Sequence, residues 1–229
     1  MTREIVQSLE PVVLFGGGSA EPDVVSRAVL LGSTVVAADG GASLAMNNGH
    51  VPSVVIGDFD SLSQEDRAAL TTAKLVHIDE QDSTDFDKSL RNIAAPLVIA
   101  VGFTGARLDH TLAALNTLVA HPGRRCLIVS DQDVIFLAPP KLELALPLGT
   151  RFSLFPMGPV IGHSTGLEWP ITGLHFKPNG KVGTSNRVSG PVSLEFDEPQ
   201  MLVILPLEFL EYSTRALLNC SARWPARVE

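Results

Sequence analysis

The feature that most restricts this chain is an alternation, over its first 138 residues, of short apolar runs with helix-like segments. PVVLF (11–15), TVVAAD (34–39), SVVIGD (53–58), LVHID (75–79), LVIAVG (97–102) and CLIVSD (126–131) are rich in β-branched residues and nearly continuous in apolar character. Strands covered on both faces read this way. Between them lie DVVSRAVLLG, GASLAMNNG, SQEDRAALTTA, DFDKSLRNIAA and RLDHTLAALNTLVAH, each compatible with a helix that has one apolar face. Ser61 and Ser63 are N-cap candidates for the third, and Thr84 for the fourth. Strand and helix alternating through short connections imply a doubly wound, mostly parallel α/β sheet.

At APP (138–140) the pattern changes. The remainder of the chain is rich in Pro and Gly, with period-2 alternation at Leu142, Leu144, Leu146 and Leu148, then RFSLF, PVSLEF and MLVILPLEF. A second, all-β, sandwich-like unit fits this. The expected domains are 1–138 and 139–229.

Composition narrows the function classes. With 45% hydrophobic and 18% charged residues the chain has ample core for a globular fold. A formal net charge of -8 argues against a nucleic-acid binder working through a basic surface. A phosphate ligand stays compatible with that charge if metal ions and a few local cations neutralise it. Cys126 and Cys220 stand in apolar surroundings and indicate neither a disulfide framework nor a zinc site. The opening MTREIVQSLEPVVLFGGG has acids early and a short apolar stretch broken by glycines, unlike a signal segment. No apolar run approaches the ~20 residues of a membrane span, so a cytoplasmic, soluble protein is expected.

The acids then need an explanation. GDFDS (57–61) sets Asp58 and Asp60 on one short segment, and DSTDFDKSL (82–90) sets Asp82, Asp85 and Asp87 on the next. Two carboxylates ~5 Å apart repel by roughly 3 kcal/mol at an effective dielectric of 20, so such a cluster calls for a cation. On the strand assignment above, Asp39, Asp58 and the 79–85 region come after strand ends, as do the glycines of GGG (16–18), DGG (39–41) and GFTG (102–105). Ligands of open parallel sheets bind at that edge. Mg²⁺ takes a few carboxylate oxygens plus water and phosphates, and glycine loops at helix N-termini offer N–H groups to anions. Singly, each acid could be a helix cap or a solvated loop residue; together they read as a metal-phosphate site. Lys88, one turn after Asp85, and Arg107 could meet phosphate, the alternative for Lys88 being an intrahelical ion pair. His110 reads as a helix N-terminal residue rather than a general base. GxxxxGK[ST] is absent, and GGG does not open a GxGxxG pattern.

Taken as a set, AADGGA (37–42), GDFDS (57–61), QDSTDFDKSL (81–90), GFTGARLDHTLAAL (102–115), GLEWPI (166–171) and GTSN (183–186) resemble the thiamine pyrophosphokinase (thiamine diphosphokinase) family. The resemblance implies transfer of the diphosphoryl group of ATP to the hydroxyl of thiamine, giving thiamine diphosphate and AMP. It also implies Mg²⁺, a catalytic α/β domain, a thiamine-binding β domain and a homodimer with the active site between subunits. Carried over by motif position, Asp58, Asp60 and Asp85 would hold the metal and diphosphate, and Arg107 and Asp109 would complete the catalytic set. Asp39, Gly40, Gln81, Thr84, Lys88 and Gly105 would lie against the nucleotide. Trp169, Thr184, Ser185 and Asn186 would meet thiamine, whose aromatic and cationic rings suit a tryptophan face. Ala106 departs from the family pattern, which often has glycine there. Other readings are a pyrophosphokinase for another small alcohol, such as a hydroxymethylpterin, and a non-catalytic thiamine or nucleotide sensor.

Overall fold

The computed structural model describes residues 4–105 and 107–227. It forms two compact units, the first running to Thr117 and taking in Ile128–Asp131, the second comprising Leu118–Leu127 and the chain from Gln132 onward.

The first unit begins with β1 (Val6–Gln7), β2 (Val12–Phe15), α1 (Pro22–Val29), β3 (Thr34–Ala38), α2 (Gly41–Asn47), β4 (Val54–Gly57) and α3 (Gln64–Ala69). It continues with β5 (Lys74–His77), α4 (Asp85–Arg91), β6 (Ile93–Ala94), β7 (Val98–Val101), α5 (Leu108–Ala120) and β8 (Cys126–Val129), the last two reaching into residues of the second unit. Strand β2 lies between β3 and β7, β4 and β5 continue outward from β3, and all these pairs are parallel. The chain therefore steps outward from β2 to β5 and returns to the other side of β2, a reversal that opens a crevice at the carboxyl ends of β2 and β7. VVLF and VIAV are buried throughout, as strands without a polar side chain must be, whereas edge strand β5 (KLVH) is largely exposed.

The helix expected over DFDKSLRNIAA is shorter. It stops at Arg91, and Ile93–Ala94 pair in parallel with β1. Ile93 is β-branched and buried, and the Asn92 carbonyl accepts the N–H groups of Ile5 and Val6, so strand pairing satisfies what another helical turn could not.

In the second unit come β9 (Asp133–Leu137), β10 (Lys141–Leu144), β11 (Arg151–Pro156), β12 (Val160–Leu167), β13 (His175–Phe176), β14 (Gly183–Phe196) and β15 (Met201–Pro206). A 3₁₀ turn, Leu207–Phe209, leads into α6 (Leu210–Asn219). The strand ladders here are antiparallel. Long strand β14 meets β11 through 183–187, then β12 and β10 through 188–196. The period-2 expectation holds at Leu142, Leu144 and Leu146, which are buried, and ends at Leu148, which is exposed in the next turn.

This unit is β-rich and not all-β, because α6 belongs to it. Leu210, Ser213, Thr214 and Leu217 form the buried face of that helix at helical spacing. Arg125 closes its end, donating to the carbonyls of Leu217, Cys220 and Ala222 at 2.6, 2.7 and 2.8 Å. Among the described residues no helix is long and apolar enough to cross a membrane.

Candidate active site

The acids are assembled by backbone geometry that few residue types allow. After β3, Asp39 takes a positive φ of 41° and donates its N–H to the Ile56 carbonyl at 2.8 Å, which draws it against the end of β4. A Cβ on Gly57 would stand 2.7 Å from that of Asp39, so glycine is the residue that leaves the carboxylate room. Phe59 is also left-handed, at φ 65°, in the turn between Asp58 and Asp60. Oxygens of Asp39, Asp58 and Asp60 lie within 4.8 Å of one another. Asp39 is buried; its Oδ2 accepts the Ser61 N–H at 3.2 Å, while its Oδ1 has no hydrogen-bond partner among the described residues. Ser61 also donates its hydroxyl to Asp60 Oδ1 at 2.8 Å, so it serves the acid cluster, and Ser63 is the residue that caps α3 by accepting the Asp66 N–H.

Thr84 caps α4 as expected, accepting the Asp87 N–H at 3.2 Å. The cap sets Asp85 in the first turn and Lys88 one turn on. Lys88 is buried, its Nζ 3.2 Å from Asp85 Oδ1 and 3.5 Å from Asp58 Oδ2. The ion pair weighed as its alternative role is present, with a second carboxylate added. Burial alone would lower the Lys88 pKa, but the Asp85 hydrogen bond and the charges of Asp85 and Asp58 outweigh it and raise the value. For Asp58, burial pushes upward while the Asp60 N–H and Lys88 pull harder and hold the carboxyl below its ordinary range. Asp39 goes the other way: burial raises its pKa, hydrogen bonding from Ser61 offsets part of this, and the charges of Asp85 and Asp60 add to the rise.

These groups face a cleft of about 620 Å³ lined by Gly17, Gly18, Asp39, Gly40, Asp58, Gln81, Thr84, Asp85, Lys88 and Arg107, among others. Its glycine lip is tight, since a Cβ on Gly16 or Gly18 would come within 2.6 or 2.7 Å of the Gly102 carbonyl oxygen. Arg107 and Asp109 are largely exposed and paired to each other at 2.6 and 3.2 Å, and Asp109 does not line the cleft. Gly105, at φ 112°, stands in the same loop, and Ala106 lies outside the described residues. Of the three expected metal ligands, Asp58 and Asp60 cluster with Asp39, whereas Asp85 is engaged by Lys88. Ser61, the last residue of GDFDS and an N-cap candidate from the sequence, borders the cleft as well, and so does Glu80, which no motif marks; Glu80 is held by Arg91, a pairing between loop and helix that no short-range spacing announces.

Hard oxygen donors in a tight group, one of them a buried oxygen without a partner, fit a divalent cation of the Mg²⁺ kind. Without that cation the buried Asp39 charge should weaken the fold. A raised native pKa means that the native state binds the proton more tightly than the unfolded chain does, so the penalty appears as pH climbs above the ordinary carboxylate range. Asp39→Asn is therefore expected to raise the Tm in EDTA at neutral pH by about 2–4 °C. The gain should fade in acid, where Asp39 is protonated. An unchanged or lower Tm at neutral pH would refute the strain.

The second unit holds the other expected residues. Trp169 is 53% exposed at the start of the segment after β12, and Thr184 and Ser185 are exposed on β14, whereas Asn186 is buried.

The family model described as "Thiamin pyrophosphokinase, catalytic domain" matches residues 29–129, and "Thiamin pyrophosphokinase, vitamin B1 binding domain" matches 141–201. The chain is 30% identical over 165 residues to thiamine pyrophosphokinase 1 of Arabidopsis thaliana, covering 64% of this chain and 62% of that one. Against thiamine pyrophosphokinase of Bacillus subtilis the figures are 26% over 165 residues, 67% and 77%. The chain spans about three-fifths of the length of the plant relatives it matches. The crystal structure of yeast thiamin pyrophosphokinase superposes with a TM-score of 0.71 at 15% identity, covering 94% of this chain and 90% of that one, a likeness of fold.

Proposed function

The chain belongs to the thiamin pyrophosphokinase family, and we propose on that premise that it transfers the diphosphoryl group of ATP to the hydroxyl of thiamine, giving thiamine diphosphate and AMP. The observation that carries the reading is the group of Asp39, Asp58 and Asp60, with a buried carboxylate oxygen left unpartnered, beside buried Lys88 in a glycine-lipped cleft. The match of 141–201 to a vitamin B1 binding domain favours thiamine over a pterin alcohol as acceptor.

In this reading Asp39, Asp58 and Asp60 would hold Mg²⁺, which would supply positive charge against the negative charge that develops in transfer. The loops at Gly17, Gly18 and Gly40 let the nucleotide phosphates approach backbone N–H groups, and Gln81, Thr84 and Gly105 border them. Lys88 keeps Asp58 and Asp85 oriented and supplies fixed positive charge; Arg107, drawn from its exposed pair with Asp109, adds a mobile one. The thiamine hydroxyl attacks the β-phosphorus in line, a carboxylate of the Asp58, Asp60 and Asp85 group orients it or takes its proton, and the bond from the β-phosphorus to the bridging oxygen breaks so that AMP leaves. Trp169 stacks on thiamine, with Thr184 and Ser185 beside it. The reading further takes residues 1–138 as the catalytic α/β domain, doubly wound, and 139–229 as a sandwich-like thiamine domain. It includes a cytoplasmic homodimer with the site completed between subunits.

The test is AMP formation by the purified protein with ATP and Mg²⁺, with and without thiamine. The expected result is thiamine-dependent AMP with matching thiamine diphosphate. Folded, metal-replete protein giving no AMP would overturn the reading.

A further inference from the structure

The family pattern counts Asn186 among residues that would meet thiamine, yet its side chain is turned inward and its polar atoms are occupied. Asn186 is 5% exposed. Its Oδ1 accepts the Trp169 N–H at 3.1 Å and the Arg187 N–H at 2.8 Å, and its Nδ2 donates to the Trp169 carbonyl at 2.7 Å. Three of the four hydrogen bonds an asparagine amide can make are thus spent on backbone, two of them on the N–H and C=O of one residue.

The surroundings are built to bring this about. Ser185, just before it, takes a left-handed φ of 62° and donates its N–H to buried Ser153 Oγ at 3.1 Å, where the register of β11 against β14 shifts. Opposite, the register of β12 against β14 shifts at Gly166, whose φ is 73° and where a Cβ would stand 2.1 Å from the Pro191 carbonyl oxygen. Two irregularities on either side of β14 turn Asn186 toward the segment leaving β12, as bulges do when they re-aim a side chain. That segment is pinned again where Ile171 N–H meets Ser164 Oγ at 3.0 Å. Trp169 is exposed on it, between exposed Glu168 and Pro170.

We propose that Asn186 is a positioning residue: it contacts no ligand itself and fixes the backbone of Trp169, so that the exposed indole is held ready for an aromatic, cationic ring. The inference rests on the functional reading above for the identity of that ring, thiamine, and on hydrogen-bond geometry alone for the fixing of Trp169.

Trp169 and Trp224 are the two tryptophans of the chain. In a Trp224→Phe background, the fluorescence anisotropy of Trp169 in protein without thiamine or ATP reports its fixing directly. Asn186→Ala should lower that anisotropy and raise the thiamine KM about tenfold, the scale of two lost hydrogen bonds to a partly buried backbone. Because the indole acts in binding, kcat should stay within about threefold. Asn186→Asp keeps an acceptor for both N–H groups and loses the donor, so it should fall between; if the alanine variant does not fold, it reads the same quantities. Unchanged anisotropy would overturn the positioning role. Lowered anisotropy with an unchanged thiamine KM would overturn the assignment of Trp169 to thiamine. A parent enzyme that makes no thiamine-dependent AMP would sink the functional reading while the anisotropy result still decides the positioning role.

Discussion

Asp58→Ala and Asp85→Ala, made singly, should each lower kcat for thiamine diphosphate formation by about 10³ or more, in line with phosphoryl transfer that depends on positioning and charge stabilisation. Each removes an oxygen donor from the cleft in which the proposed reading sets the nucleotide phosphates. Neither should unfold the protein. Lys88 sits between the two carboxylates, 3.5 Å from one and 3.2 Å from the other, so each variant leaves it one partner. Losing one of two acids also relieves repulsion among Asp39, Asp58, Asp60 and Asp85. Tm should therefore stay near that of the parent while turnover collapses. Steady-state kinetics beside thermal melts in EDTA check this, and near-normal kcat in both variants would remove the acids from the mechanism.

Gly41→Ala should produce a large loss of stability. A Cβ there would lie 2.1 Å from the Phe15 carbonyl oxygen and 2.5 Å from its carbon, both backbone atoms of the buried strand β2. Neither can swing aside as a side-chain tip would. The cost should be about 3 kcal/mol or more, as for severe overpacking. Gly49 gives the comparison: its φ is 81° and nothing among the described residues lies within 4 Å of an added Cβ, so Gly49→Ala should lose only about 1 kcal/mol of backbone strain. Urea melts of the two variants measure both. Equal midpoints would mean that α2 can move off β2 freely, and that the glycine loop at the cleft is not held by this contact.

The parallel strands were legible in the sequence because VVLF, VVIG and VIAV have no polar residue to place in water, and sheets covered on both faces select such runs. Ser63 and Thr84 were legible as caps because an N-cap acts on backbone within three residues. The grouping of Asp58 with Asp60 was legible for the same local reason. Asp39 was legible as a strand-end acid and, from the resemblance, as a residue against the nucleotide, but not as a member of the oxygen group of Asp58 and Asp60, because that approach depends on the pairing of β3 with β4 and on Gly57 leaving room. The second carboxylate contact of Lys88 joins residues 30 apart, and no helical spacing encodes it. In the β-rich unit, alternation marked the strands near 142–146 and 151–156, but α6 went unread, since Ser213 and Thr214 on its buried face blur the apolar stripe.

By itself, then, the sequence determined the alternating order of the first unit, the edge of the sheet on which glycines and acids gather, and the family whose motifs those are. Each arises from interactions within a few residues or from the covering of apolar runs. Tertiary structure alone decided which acids share a cation-sized space and that Lys88 reaches Asp58 as well as Asp85. It alone decided that Asp39 keeps a buried oxygen without a partner and that Asn186 grips Trp169 with its amide. These depend on strand register and on close backbone approach, where a shift of an ångström or a missing Cβ settles which groups meet.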